Sequence, residues 1–212
     1  MTGGVDPNSF DARAATWDAD PTKVERAKSV AQKIRSTVAL DRSIRMLEYG
    51  AGTGLVSQAL RDYVGPITLA DTSTGMREVL HAKIAAGVIT DARVLDLDLA
   101  GGRVPDEHYD LIVTVMTLHH IENTGAVLSR FAELLEEGGY LCVVDLDEED
   151  GSFHEAHFEG HHGFKRSVLA SELGATGFTD VAFHDCHQIV REDATYPIFL
   201  ATCRRGRSAG YP

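Results

Sequence analysis

The chain has 212 residues, 43% hydrophobic and 25% charged, an ordinary balance for one globular core. Its formal net charge of -12, from 32 acidic and 20 basic residues, repels a phosphate backbone and argues against nucleic acid as the main partner. No apolar run approaches the ~20 residues of a membrane helix, and the N-terminus lacks the basic and apolar regions of a secretory signal.

In chain order, residues 1–9 read as frayed and Phe10–Asp18 as a short helix carrying the only tryptophan. Val24, Ala27, Val30, Ala31, Ile34 and Val38 recur at helical spacing and predict a long amphipathic helix over 21–39. Strands and helices then alternate. Strands are expected at Ser43–Tyr49, Pro66–Asp71, Ala92–Leu97, Asp110–Val115, Tyr140–Leu146, Thr179–Asp185 and Pro197–Cys203. Helices are expected at Leu55 to about Tyr63, Gly75–Ala86, Thr124–Glu136 and Ser167–Thr176, with Gly138-Gly139 and Gly177 as stops. The pattern predicts one domain over 1–212: a helical cap or lid (10–39), a Rossmann-like α/β core (43–203) and a disordered tail (204–212). Such sheets are mainly parallel, doubly wound, and bind ligands at the carboxyl ends of their strands. Cys142, Cys186 and Cys203 form no CxxC pair, so a reducing cytoplasm is the expected setting.

The first strand runs into MLEYGAGTGL, Met46 to Leu55. A dinucleotide fingerprint would need a third glycine at 55, where Leu55 stands. The glycines fall at 50, 52 and 54, and Glu48 precedes them. A carboxylate there suits a ligand with an ammonium group better than a pyrophosphate, although Gly-rich turns are often empty. Asp71 ends the second strand, where an acid can accept both ribose hydroxyls. Asp98, with Asp96 as rival, follows the third strand and could meet an adenine amino group or merely fold a turn.

These landmarks, with YDLIVTVMTLHHI (109–121) and LLEEGGYLCVVDL (134–146), resemble those of class I S-adenosylmethionine-dependent methyltransferases over about residues 10–203. The resemblance implies a seven-stranded mixed sheet whose last strand is antiparallel, with S-adenosyl-L-methionine as cofactor. It implies that the glycine loop holds the amino-acid part, Asp71 the ribose and Asp98 the adenine. The expected cofactor set is Glu48, Gly50, Ala51, Gly52, Gly54, Asp71, Thr72, Met76, Asp98, Leu99, Thr114 and Trp17. Trp17 would serve in a lid or else dock the cap permanently. The chain is also similar to a narrower set sharing LHHIEN and DLDEEDGSFH followed by HHGF.

Methyl transfer needs mainly orientation, plus a base for a hydroxyl, thiol or protonated amine. His119 and His120 follow the fourth strand and are the expected catalytic pair, with His120 preferred. His154, His157, His161 and His162 crowd the segment after the fifth strand and are expected to line the acceptor pocket. On a helix, His154, His157 and His161 could converge on a metal, but Gly160 and Gly163 weaken a helix there and no HExxH occurs, so no metal is expected. Asp145 and Asp147 continue the fifth strand; Asp145 reads mainly as an ion-pair partner. No NPPY follows the fourth strand, where Thr114-Val115-Met116-Thr117 stands, which argues against methylation of nucleic-acid bases. The expected activity is methyl transfer to a small-molecule O, N or S nucleophile by a monomer or homodimer with no membrane or nucleic-acid partner. The alternatives are a protein or peptide methyltransferase, a nicotinamide oxidoreductase, and a non-catalytic module that senses the cofactor.

Overall fold

A computed structural model of the chain describes residues 7–154, 158–191 and 194–206. The helices are α1 (Pro7–Ala14), α2 (Pro21–Thr37), α3 (Leu55–Leu60), α4 (Thr74–Ala85), α5 (Thr124–Leu134) and α6 (Arg166–Ala175), with 3-10 turns η1 (Trp17–Ala19) and η2 (Leu118–His120). The strands are β1 (Met46–Tyr49), β2 (Ile67–Ala70), β3 (Ala92–Leu95), β4 (Tyr109–Val115), β5 (Leu135–Leu146), β6 (Phe178–Arg191) and β7 (Ala194–Arg205). They form one sheet in the order β3-β2-β1-β4-β5-β7-β6, in which only β7 runs antiparallel to its neighbours. The expected seven-stranded mixed sheet is therefore borne out.

The central strands are apolar on both sides because helices cover both faces. On one face α2 and α3 bury Val30, Ile34, Val56 and Leu60 against Met46, Leu111 and Val144; on the other α5 and α6 bury Leu128, Phe131 and Leu173 against Ile112 and Phe199. Of the segment expected as a cap, α2 belongs to this packed layer, while α1 and η1 lie against the carboxyl edge of the sheet. The Asp20 carboxylate caps α2, accepting from Thr22 N, and Pro21 needs no partner there. Among the described residues no helix is long and apolar enough to cross a membrane.

Three details depart from the sequence reading. Gly138-Gly139 do not end a helix but lie inside β5, where the β4–β5 register shifts between Tyr109 and Leu111. Helix α5 stops at Leu134, and the chain enters the strand without a loop. The last hairpin runs far beyond its expected bounds, so Arg204 and Arg205 are strand residues rather than tail. Its outer strand β6 is a half-exposed edge, where polar residues interrupt the apolar run of a buried strand. The rest of the expected tail, 207–212, lies outside the described residues.

Gly54 opens α3 at φ +75, and a Cβ there would stand 2.7 Å from Leu80 and 2.9 Å from Ile89. Only glycine meets both demands, which packs the loop close against α4.

Candidate functional site

The carboxyl ends of β1, β2 and β4 build a cradle around the glycine loop. Ala51 N–H donates to Ala70 O (2.9 Å), and Gly54 N–H to Ala51 O (2.8 Å). A side chain at Gly50 would collide with Thr117, so the loop after β4 closes directly over the loop after β1. Asp71 ties the cradle together: one carboxylate oxygen accepts from Gly52 N at 2.7 Å and the other from Ser73 N at 2.9 Å. Burial pushes its pKa up, and these backbone donors work against that rise. Each oxygen keeps a lone pair for a diol.

Glu48 is fully enclosed. Its carboxylate accepts from both Ser57 N and Ser57 Oγ, in the first turn of α3, so its visible role is to hold that helix to β1. Burial is the main cause of a pKa pushed up to about 7 from 4.5. The folded state therefore holds the proton more tightly than the unfolded chain, and stability falls as pH rises from about 4.5 to about 7. Glu48→Gln keeps the acceptor for Ser57 without that ionisation. We expect wild type to lose about 1 kcal/mol more than Glu48→Gln between about pH 6 and about pH 8, measured by urea unfolding. Parallel losses in the two proteins would refute this.

The other expected cofactor residues separate by position. Met76 is buried in the first turn of α4, capped through Ser73 Oγ (3.2 Å). Leu99 is buried and donates its N–H to Tyr49 OH (3.1 Å). Ala51 is buried, Gly52 half-buried and Thr72 exposed. Thr114 is buried with a hydroxyl lacking a partner among the described residues. Asp98 is exposed and folds its own turn, accepting from Ala100 N (2.7 Å); Asp96 pairs with Arg77 (3.1 Å). Trp17 sits in η1 with the Lys23 ammonium 3.9 Å over its ring and Phe10 at 6.1 Å.

The helical segment over this edge is fastened by carboxylates. Asp11 accepts from Ser73 Oγ and from Gly75 N (2.8 Å), and Asp18 accepts from Thr53 Oγ1 and pairs with Lys83 (2.6 Å). Phe10 turns edge-on to His120, with centroids 5.5 Å apart.

Beyond the glycine loop lies a histidine cluster. His119 is buried, and its Nδ1 lies 2.6 Å from Asp145 Oδ1, while Asp145 Oδ2 accepts from His119 N at 3.3 Å. With the Asp145 carboxylate as acceptor, Nδ1–H is the donor, which in the neutral imidazole leaves the lone pair on Nε2. The rings of His120 and His154 lie 4.0 and 5.1 Å from that of His119, and His154 stacks on Phe158 at 3.7 Å. Burial, with His119 and His154 nearby, pushes His120 down to about 3; burial pushes His154 down to about 4.

The remaining histidines serve differently. His161 N–H donates to His119 O (2.7 Å) and its Nε2 to Ile121 O (2.9 Å), so it fastens the β5 loop to η2. His162 is exposed and meets Glu149 at 3.2 Å. His157 lies outside the described residues.

The sequence reading prefers His120, whereas the orienting carboxylate belongs to His119. Asp145, which the sequence reads mainly as an ion-pair partner, is one acid among several in DLDEED; only the pairing of β4 with β5 places it beside η2. Met116 holds φ +53, a left-handed conformation uncommon for a non-glycine residue, at the turn from β4 into η2. Nothing in the sequence signals it.

Residues 23–182 match the methyltransferase domain family. A 152-residue stretch is 31% identical to the biotin biosynthesis bifunctional protein BioCD of Bordetella avium, covering 70% of this chain and 32% of that protein. A ubiquinone biosynthesis O-methyltransferase of Burkholderia vietnamiensis is 26% identical over 189 residues, 76% of this chain and 78% of that one. The chain spans less than half the length of the first curated relatives it matches. Among solved structures, the N-methyltransferase NodS of Bradyrhizobium japonicum bound to S-adenosyl-L-homocysteine superposes with a TM-score of 0.71, at 19% identity over 94% of this chain and 98% of that one. The chain belongs to the methyltransferase family. Its fold is that of the S-adenosylmethionine-dependent methyltransferases it superposes on.

Proposed function

We propose that the protein methylates a small-molecule O, N or S nucleophile. The donor lies in the Gly50–Gly54 and Asp71 cradle, and the acceptor is activated by His119 with His120 and His154 beside it. The observation that carries this reading is the Asp145–His119 pair, which fixes a nitrogen lone pair at the carboxyl edge next to the glycine loop. Closure of that edge by α1 and η1 favours a small acceptor. So does the ubiquinone biosynthesis O-methyltransferase among its relatives.

A peptide acceptor would favour an exposed apolar groove beside the site. Among the described residues the exposed large apolar side chains are Tyr63 in the turn after α3, Val168 in α6 and Val190 in β6. The net charge of -12 disfavours nucleic acid.

Incubation with isotope-labelled S-adenosylmethionine and fractionated metabolites tests the reading. Label is expected in a small organic product. Label recovered only in protein would overturn the small-molecule assignment. No transfer, from protein that binds the donor, would overturn the catalytic one.

A further inference from the structure

The histidine cluster shows more than a base. His119, His120 and His154 each present a ring nitrogen, and these atoms lie within 4.8 Å of one another. The Nδ1 atoms of His120 and His154 are buried and lack hydrogen-bond partners among the described residues. Buried nitrogens of this kind cost stability when nothing occupies them. His119 already donates Nδ1–H to a buried carboxylate, the support that metal-ligating histidines commonly have, because it fixes the tautomer and raises the basicity of the other nitrogen.

We propose that His119, His120 and His154 bind a divalent transition metal ion, with zinc as the first candidate and Asp145 as the outer support of His119. Imidazole ligands suit zinc, copper, nickel and iron, and three of them leave one position open to a water or a substrate atom. Zinc–nitrogen bonds of ~2.0 Å put ligand nitrogens about 3.3 Å apart, so the cluster closes by a small rotation of its rings. A second group, Glu149, His154 and His162, is a weaker candidate: Glu149 already accepts from Gly151 N and Phe153 N and pairs with His162, which is exposed.

This inference rests on the acceptor-side reading only for its use in catalysis, where a bound metal would replace the free His119 Nε2 as the activating group. There the metal would take the acceptor heteroatom at the open position, and the acceptor would lose its proton to solvent on coordination. The heteroatom then bonds the methyl carbon as the carbon–sulfur bond breaks. The electron pair of that bond stays on sulfur, leaving a neutral thioether.

The test uses the full chain, stripped with chelator and titrated with Co(II), while S-adenosylmethionine affinity is measured by calorimetry on the same sample. We expect one Co(II) per chain with the visible bands of a tetrahedral site, displaced by zinc. His154→Ala should abolish the bands, Asp145→Asn should weaken binding by about 10- to 100-fold, and His162→Ala should leave it unchanged. Retained cofactor affinity shows that each variant is folded. Absence of Co(II) binding by chain that binds cofactor overturns the metal site and leaves the methyltransferase reading standing. Equal binding by His154→Ala and wild type, or loss in His162→Ala alone, also overturns it. Loss of cofactor binding by wild type would instead count against the donor site.

Discussion

Asp145→Asn lowers methyl transfer by about 100- to 10,000-fold and leaves S-adenosylmethionine affinity within about twofold. The carboxylate is wholly buried and accepts from three donors: His119 Nδ1 (2.6 Å), His119 N (3.3 Å) and Leu146 N (2.8 Å). Asparagine keeps the shape but turns one acceptor into an NH₂. If the NH₂ faces the ring, the imidazole takes the other tautomer and its proton moves to Nε2, the atom that must carry the lone pair. If it faces the backbone, His119 N–H loses its acceptor, at a cost of about 1–3 kcal/mol. Asp145 is thus a positioning residue, and the result to seek is a fall in kcat with a displaced pH profile. A variant that lost stability but kept its kcat would show that the pair is only structural.

Asp71→Ala weakens cofactor binding by about 30- to 1,000-fold, the equivalent of about 2–4 kcal/mol. Two effects combine. The carboxylate arranges Gly52 and Ser73 through their N–H groups, and it is the expected acceptor for the ribose hydroxyls. Asp71→Asn separates them in part, because the amide can hold one backbone donor but has lost its charge. Calorimetry with S-adenosylhomocysteine reads the affinity directly. A change of less than about threefold in the alanine variant would remove Asp71 from the ribose site.

The glycine loop was legible because its requirement lies in the backbone. Positive φ angles at Gly50, Gly52 and Gly54 impose glycine wherever the chain must turn and pack so closely. The central strands were legible for a similar reason: burial on both faces demands continuous apolar runs such as YDLIVTV. The edge hairpin was only partly legible. In FHDCHQIVR pairs of polar residues separate the apolar ones and the register shifts between Asp185 and His187, so no period of two marks this half-exposed strand, and only Thr179–Asp185 stood out from loop. The histidine site was half visible. Residue type and position after β4 marked His119 and His120, but their ranking depended on Asp145, 26 positions away in sequence. Parallel pairing of Val115 with Val144 brings the two ends together, and no local pattern carries that register. Asp98 shows the opposite limit: an acid in the right place that also folds its own turn looks the same in sequence as one that only waits for a ligand.

Asp11 fastens α1 beside Asp71, and the nine residues 10–18 hold Phe10 against His120 at one end and Asp18 against Thr53 at the other. On the proposed reading, donor and acceptor compartments share one doorway. An opening wide enough to exchange the spent donor would then uncover the histidines as well, joining the two ends of a catalytic cycle and admitting water to both compartments together.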